Sequence, residues 1–279
     1  VHAREKNGDD SVIFIDATVT VIRLRVLRMD ATQDRREFKF LLSAAEGERF
    51  RRFVADQLPV DRGAEGGYPV ISEYYDTADR NTYWQKLWGA TNRRRVRARV
   101  YGRPDAKVPP AAFIEIKHKL ESDGVKRRAA LPLEALHELS TGQIPATLLD
   151  PRRSRADRHV VAELQDLVVA NGARPVVQVR YDRMAYDSGR DGTIRITFDT
   201  GLCCRFEMKP LVPDDRDFPL PVVDREIAVV EVKTIGCVPI WLRRATSEFG
   251  LLVQSMSKYC LALERYDPVV ARHPAPITF

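Results

Sequence analysis

Five short stretches of this chain alternate charged and apolar residues: Glu37-Phe38-Lys39-Phe40, Arg97-Ala98-Arg99-Val100, Glu115-Ile116-Lys117, Ile194-Arg195-Ile196-Thr197-Phe198-Asp199 and Glu231-Val232-Lys233. Successive side chains of a β-strand point to opposite faces, so each stretch gathers its Arg, Lys and Glu on one side and its apolar residues on the other. This period of two constrains the chain to a sheet with one charged and one apolar face. If the strands join one closed sheet with the charged side inside, they enclose a channel of cations with a few carboxylates.

A solvated face of an ordinary antiparallel sheet also alternates. Here, however, the polar positions are almost all Arg, Lys and Glu, whereas solvated strands also draw on Thr, Ser and Gln. Like charges at neighbouring places on several strands are unfavourable unless a counter-ion completes them. Arg engages phosphate as a bidentate fork, and Lys adds a mobile point charge. Carboxylates among such cations suit Mg²⁺ or Mn²⁺, which bridge one or two carboxylates to phosphate oxygens. The mixture implies a metal-bound oligophosphate.

The bulk numbers are permissive. With 279 residues, 44% hydrophobic and 30% charged, the chain has enough apolar material for a substantial core. A net charge of +6 suits any polyanion. The four cysteines form no paired metal-ligand spacing, which fits a reducing cytoplasm. Val12 to Met29, the most apolar N-terminal stretch, contains Asp16, Arg23, Arg25 and Arg28 and fails as a spanning helix or signal core.

Residues 1–33 read as an N-terminal extension, 34–266 as the organised domain and 267–279 as a Pro-rich tail. Ser43 with Glu46 three residues on predicts a capped helix over Ser43 to Leu58. Val70 to Thr77, Phe113 to Leu120, Val125 to Leu131, Pro175 to Ala185, Thr193 to Asp199, Cys203 to Pro210 and Ile227 to Thr234 read as further strands, separated by Gly, Asp and Pro clusters. Helices are expected at Ala156 to Ala170, Pro239 to Phe249 and Ser257 to Arg265. About eight strands with helices predict an α+β fold: an antiparallel eight-stranded β-barrel with peripheral helices.

Taken in order, Arg35-Arg36-Glu37-Phe38-Lys39, Tyr75-Asp76-Thr77, Arg97-x-Arg99-x-Tyr101, Phe113-Ile114-Glu115-Ile116-Lys117 with Lys126 and Arg128, Arg195-Ile196-Thr197-x-Asp199, Val230-Glu231-Val232-Lys233 and Ser257-Lys258-Tyr259 resemble a known domain. It is the VTC polyphosphate polymerase domain, the vacuolar transporter chaperone branch of the triphosphate tunnel metalloenzymes. The resemblance implies an eight-stranded tunnel, a divalent metal (Mn²⁺ or Mg²⁺) and transfer of the terminal phosphate of ATP onto polyphosphate. Carried over, the catalytic cations are Lys39, Arg97, Arg99, Lys117, Lys126, Arg195, Lys233 and Lys258. Substrate contacts are expected from Arg128, Tyr181, Ser257 and Arg180 or Arg183, the tyrosine-x-arginine pattern favouring Arg183. Glu231 is the expected metal ligand, supported by Glu37 and Glu115.

The hydrolytic branch, the CYTH type, opens with Glu-x-Glu-x-Lys, whereas Arg35 stands at the first of those positions here. A hydrolase uses carboxylates to hold metal and activate water; a phosphate nucleophile is already ionised. The leading expectation is therefore a polymerase. The alternatives are a triphosphate hydrolase of the same fold and a non-catalytic polyphosphate-binding module. The expected partners are ATP and inorganic polyphosphate, without nucleic acid; the chain shows no membrane segment of its own and leaves room for a membrane-protein partner.

Several residues invite other readings. His118 should point away from Lys117 and Lys119. Trp84, Trp88 and Trp241 read first as core or shoulder aromatics, and as base-stacking rings second. Glu207 and Lys209 either line the tunnel or face solvent. Cys203, Cys204, Cys237 and Cys260 read as inert fillers.

Overall fold

The computed structural model describes residues 35–61, 65–102, 111–121, 123–189 and 192–272. The expected N-terminal extension therefore lies outside the described residues. The long strands are β1 (Arg35–Ser43), β2 (Tyr68–Asp76), β3 (Asn92–Tyr101), β4 (Ala111–Leu120), β5 (Asp123–Pro132), β6 (Arg174–Asp187), β7 (Ile194–Arg205) and β9 (Ile227–Ile235); β8 is the dipeptide Leu220–Pro221. The helices are α1 (Ala44–Ala55), α2 (Asn81–Leu87), α3 (Leu136–Ser140), α4 (Arg155–Leu164), α5 (Ile240–Glu248), α6 (Lys258–Tyr266) and α7 (Pro268–Ala271).

All eight long strands pair antiparallel in the order β1-β9-β7-β6-β2-β3-β4-β5. The hydrogen-bonded ladder ends at β1 and β5, and the curl brings the first strand against the seventh: Lys117 Nζ on β4 lies 3.7 Å from Glu37 Oε2 on β1. Beyond β1, Gln254 N–H donates to Lys39 O at 2.8 Å and partly covers that edge.

Alternation decides what lies on each side. On the convex face Phe40, Leu42, Ile196, Val230 and Val232 pack with Phe50 and Val54 of α1 and Leu242 of α5. Val96, Ala98, Ile114 and Ile116 pack there with Leu139 of α3 and Val160 and Leu164 of α4. The Ser43 and Glu46 capping box fixes the entry to α1 as expected, with Glu46 N–H on Ser43 Oγ and Ser43 N–H on Glu46 Oε2. One helix is placed differently. Tyr259 and Leu263 of α6 pack with Val177, Val179 and Tyr181 of β6 and Tyr74 of β2, so α6 fills part of the concave side.

Three segments depart from the sequence reading. The strand expected at Cys203 to Pro210 is instead the end of β7, which runs through Gly201 at a φ of 61°. The glycine absorbs a bulge, marked by the register shift opposite Arg180 and Asp182, rather than closing a strand. The helix expected to end at Ala170 is α-helical only to Leu164 and continues as a π-turn to Ala170. Asp267 and α7 belong to the packed fold rather than to a tail: the Asp267 carboxylate is buried, takes Arg80 Nε at 2.8 Å and caps Val269.

Candidate active site on the concave face

The inward positions of β3 are Arg93, Arg95, Arg97 and Arg99, a ladder of guanidinium groups set by strand period alone. Beside it, β4 turns Glu115 and Lys117 inward while Ile114 and Ile116 are fully buried outside, and β5 adds Lys126 and Arg128. Glu115 is buried among four of these cations: Arg97 Nη2 at 2.6 Å, Lys126 Nζ at 2.6 Å, Arg128 Nε at 3.6 Å and Arg99 Nη1 at 3.9 Å. Burial alone would raise its pKa, but the cations outweigh burial and hold it well below the usual carboxylate range. Glu115 thus lets the four cations crowd together.

A second group forms where β1, β9, β7 and α6 meet. Glu231 lies 3.0 Å from Lys258, 3.7 Å from Lys233 and 3.9 Å from Lys39. Lys258 also reaches Asp199 at 2.7 Å, and Asp199 holds Arg183 through two bonds of 2.7 Å. Arg183, Asp199, Lys258 and Glu231 make a neutral quartet, Asp199 being fully buried. Burial opposes ionisation of Glu231, yet Lys258, Lys39 and Lys233 reverse it and keep the carboxylate ionised. For Lys258 burial is outweighed by Asp199 and Glu231, so its pKa is raised.

Arg195 also faces inward, between Asp61 at 2.5 Å and Asp187 at 3.5 Å. Ser257, just before α6, accepts Arg95 Nη1 at 2.8 Å. Burial lowers the pKa of Lys117, Lys126 and Lys233, with Glu37, Glu115 and Glu231 respectively the leading opposing charges.

Two expected substrate contacts are placed otherwise. Arg180 lies on the convex face, bonded to Asp182 at 2.9 and 3.0 Å and to Asp215 O at 3.1 Å, because strand period sets it opposite Tyr181 and Arg183. Tyr181 is fully buried under Arg183 and Lys258, whose charged ends stand 5.2 and 4.8 Å from its ring centre. It carries those cations by cation–π attraction and is too buried to meet a ligand itself.

The three proposed metal carboxylates also separate. Glu37 and Glu231 approach Lys39 Nζ at 3.4 and 3.9 Å, whereas Glu115 is held by its own cations on β3 and β5. No group of three or more metal-ligating side chains occurs among the described residues. Two hard carboxylates fit a metal that arrives with phosphate and keeps waters; they do not make an all-protein cage.

Sequence reasoning passed over Arg93 and Arg95, although the same alternation signals both. It passed over Asp199 as a site residue, although the alternation includes it, because its partners Arg183 and Lys258 come from β6 and α6. The Tyr75-Asp76-Thr77 motif proves to be scaffolding: Asp76 accepts Tyr259 Oη at 2.5 Å and the N–H groups of Thr82 and Tyr83 at the start of α2. His118 points outward to Asn92 at 2.8 Å, Glu207 and Lys209 pair on the surface, and burial pushes Cys204 up to about 12.

Residues 34–266 match the VTC domain family. The chain belongs to the VTC domain family. No curated protein matches the chain. Among solved structures, a putative adenylate cyclase from Bacillus halodurans is similar at 10% identity and a TM-score of 0.49, over 83% of this chain and 96% of that one. A putative adenylyl cyclase from Hippeastrum, described as having a dominant triphosphatase activity, is similar at 16% identity and a TM-score of 0.47, over 85% and 99%. Among the described residues of this VTC domain, no helix is long and apolar enough to cross a membrane.

Proposed function

We propose that this VTC domain is a metal-dependent polyphosphate polymerase that transfers the terminal phosphate of ATP to a polyphosphate chain on its concave face. The observation that carries this reading is the Arg95, Arg97 and Arg99 ladder, with Lys117 beside it on β4, facing Lys39 and Lys233 of β1 and β9 across one curled sheet. Such a face holds several successive phosphoryl groups and stabilises charge that shifts between them.

In the transfer, a terminal oxygen of the acceptor chain attacks the γ-phosphorus of ATP. The new P–O bond forms as the bond to the β-phosphate oxygen breaks, and ADP departs. No proton has to leave the nucleophile. The chain's own task is therefore to position and neutralise: Arg97 and Arg99 grip phosphate oxygens, Lys39 and Lys233 follow the charge, and with Lys258 they keep Glu231 ionised. Glu231 and Glu37 would hold a divalent metal, which would supply positive charge against the repulsion among the phosphates. Arg35, exposed at the start of β1, supplies no carboxylate for a water-activating set.

Purified protein incubated with ATP and Mn²⁺ tests the reading by gel and phosphorus NMR. The expected products are ADP and long-chain polyphosphate. Orthophosphate as the sole phosphate product would assign the site to a triphosphatase instead.

A further inference from the structure

The arginine ladder of β3 ends on a ring. Tyr101 occupies the inward position after Arg99, flanked by Tyr68 of β2 and Phe113 of β4. The Tyr68–Tyr101 and Tyr101–Phe113 centroids are 6.0 and 5.8 Å apart, with the planes inclined by 57° and 68°. All three rings are half-buried. Arg128 lies on Phe113, its guanidinium carbon 3.6 Å from the ring centre, and Nη2 donates to Tyr101 Oη at 3.4 Å. Arg183 and Arg195 stand near Tyr68, where their charges offset part of the rise that burial imposes on its hydroxyl.

At the other end of the β3–β4 hairpin the inward strand positions are Arg93, Arg95, Lys117 and Lys119. The hairpin is thus cationic at one end and aromatic with cations at the other. A phosphate chain gains nothing from half-exposed rings beside it. A nucleobase does, because any base stacks on an aromatic or guanidinium plane.

We propose that Tyr68, Tyr101 and Phe113, with Arg128, form the subsite for the base of a nucleoside triphosphate, whose phosphates then lie along Arg99, Arg97 and Arg95. The inference rests on the transfer reading above and adds which end of the hairpin receives the donor nucleotide.

Its test is calorimetric affinity of the 279-residue protein, without divalent metal, for ATP, ribose 5-triphosphate and tripolyphosphate. Wild-type protein should bind ATP about tenfold or more tightly than ribose 5-triphosphate, as stacking of one base supplies. Tyr101→Leu and Phe113→Leu should each weaken ATP about fivefold or more and leave tripolyphosphate within about twofold. Equal wild-type affinity for ATP and ribose 5-triphosphate would overturn the subsite without needing any variant. So would variants that weaken tripolyphosphate as much as ATP, since the rings would then support the fold alone. If the wild type binds neither ATP nor tripolyphosphate, the transfer reading itself fails; binding of tripolyphosphate without a base effect removes only the subsite.

Discussion

Asp199→Asn removes one negative charge from a place that solvent does not reach. In the native quartet two cations, Arg183 and Lys258, face two carboxylates, Asp199 and Glu231, so the group is neutral. The substitution leaves it at +1 while keeping nearly the same shape. Breaking a buried ion pair from one side typically costs about 3–5 kcal/mol, because the remaining charge is desolvated without compensation. For a domain of this size each kcal/mol lowers the melting temperature by about 2–4 °C, so a fall of about 6–20 °C is expected by calorimetry. Adding Lys258→Met returns the group to neutrality and should recover part of the loss. Tripolyphosphate should raise the melting temperature of Asp199→Asn more than that of the wild type, since an added anion meets an uncompensated cation. A fall of less than about 2 °C, under 1 kcal/mol by the same conversion, would refute the argument that Asp199 holds the two cations in place.

Glu231→Gln should abolish Mn²⁺-dependent turnover of ATP while tripolyphosphate still binds in a metal-free titration; unchanged metal-dependent activity in a folded protein would exclude Glu231 as a ligand. Glu231, Glu115 and Asp199 have folded-state pKa values below their ordinary 4.5, 4.5 and 3.8. Their contribution to stability is full above those ordinary values and is lost as pH falls through the lowered ones, so a denaturant series in acid should show stability declining below about pH 4.5. Lys117, Lys126 and Lys233 lose their charge below the ordinary 10.5, so tripolyphosphate affinity should begin to fall at a lower alkaline pH than ordinary lysines would dictate. His118→Ala should change ATP turnover by less than about twofold, because the ring lies on the convex face with Asn92 and a surface change of this kind is near neutral.

Alternation made much of the sheet legible. Around Val96, Ala98, Ile116 and Val232 the charged partner lies on the concave side and the apolar one outside, whereas on β6 Arg180 lies outside and its buried neighbours Val179 and Tyr181 lie inside. The Ser43 and Glu46 cap was legible because its two hydrogen bonds are local. Gly201 was not, since a glycine reads alike whether it ends a strand or bulges through one. The split between Glu115 and the Glu37 and Glu231 pair depends on which strands become neighbours, and no single strand carries that information. Asp199 was hidden for the same reason: its partners Arg183 and Lys258 come from β6 and α6. The Arg180 and Arg183 ambiguity could have been settled by counting, because residues three apart in a strand face opposite ways.

The central claim, that the concave cations hold the phosphates, is tested most directly by titrating tripolyphosphate into wild type, Arg97→Ala and the outer-surface control Arg152→Ala, whose side chain is 89% exposed. Loss of a charge-assisted bond worth about 1.5–3 kcal/mol predicts that Arg97→Ala weakens binding about 10- to 150-fold while Arg152→Ala matches the wild type. Equal affinity for all three proteins would contradict the account.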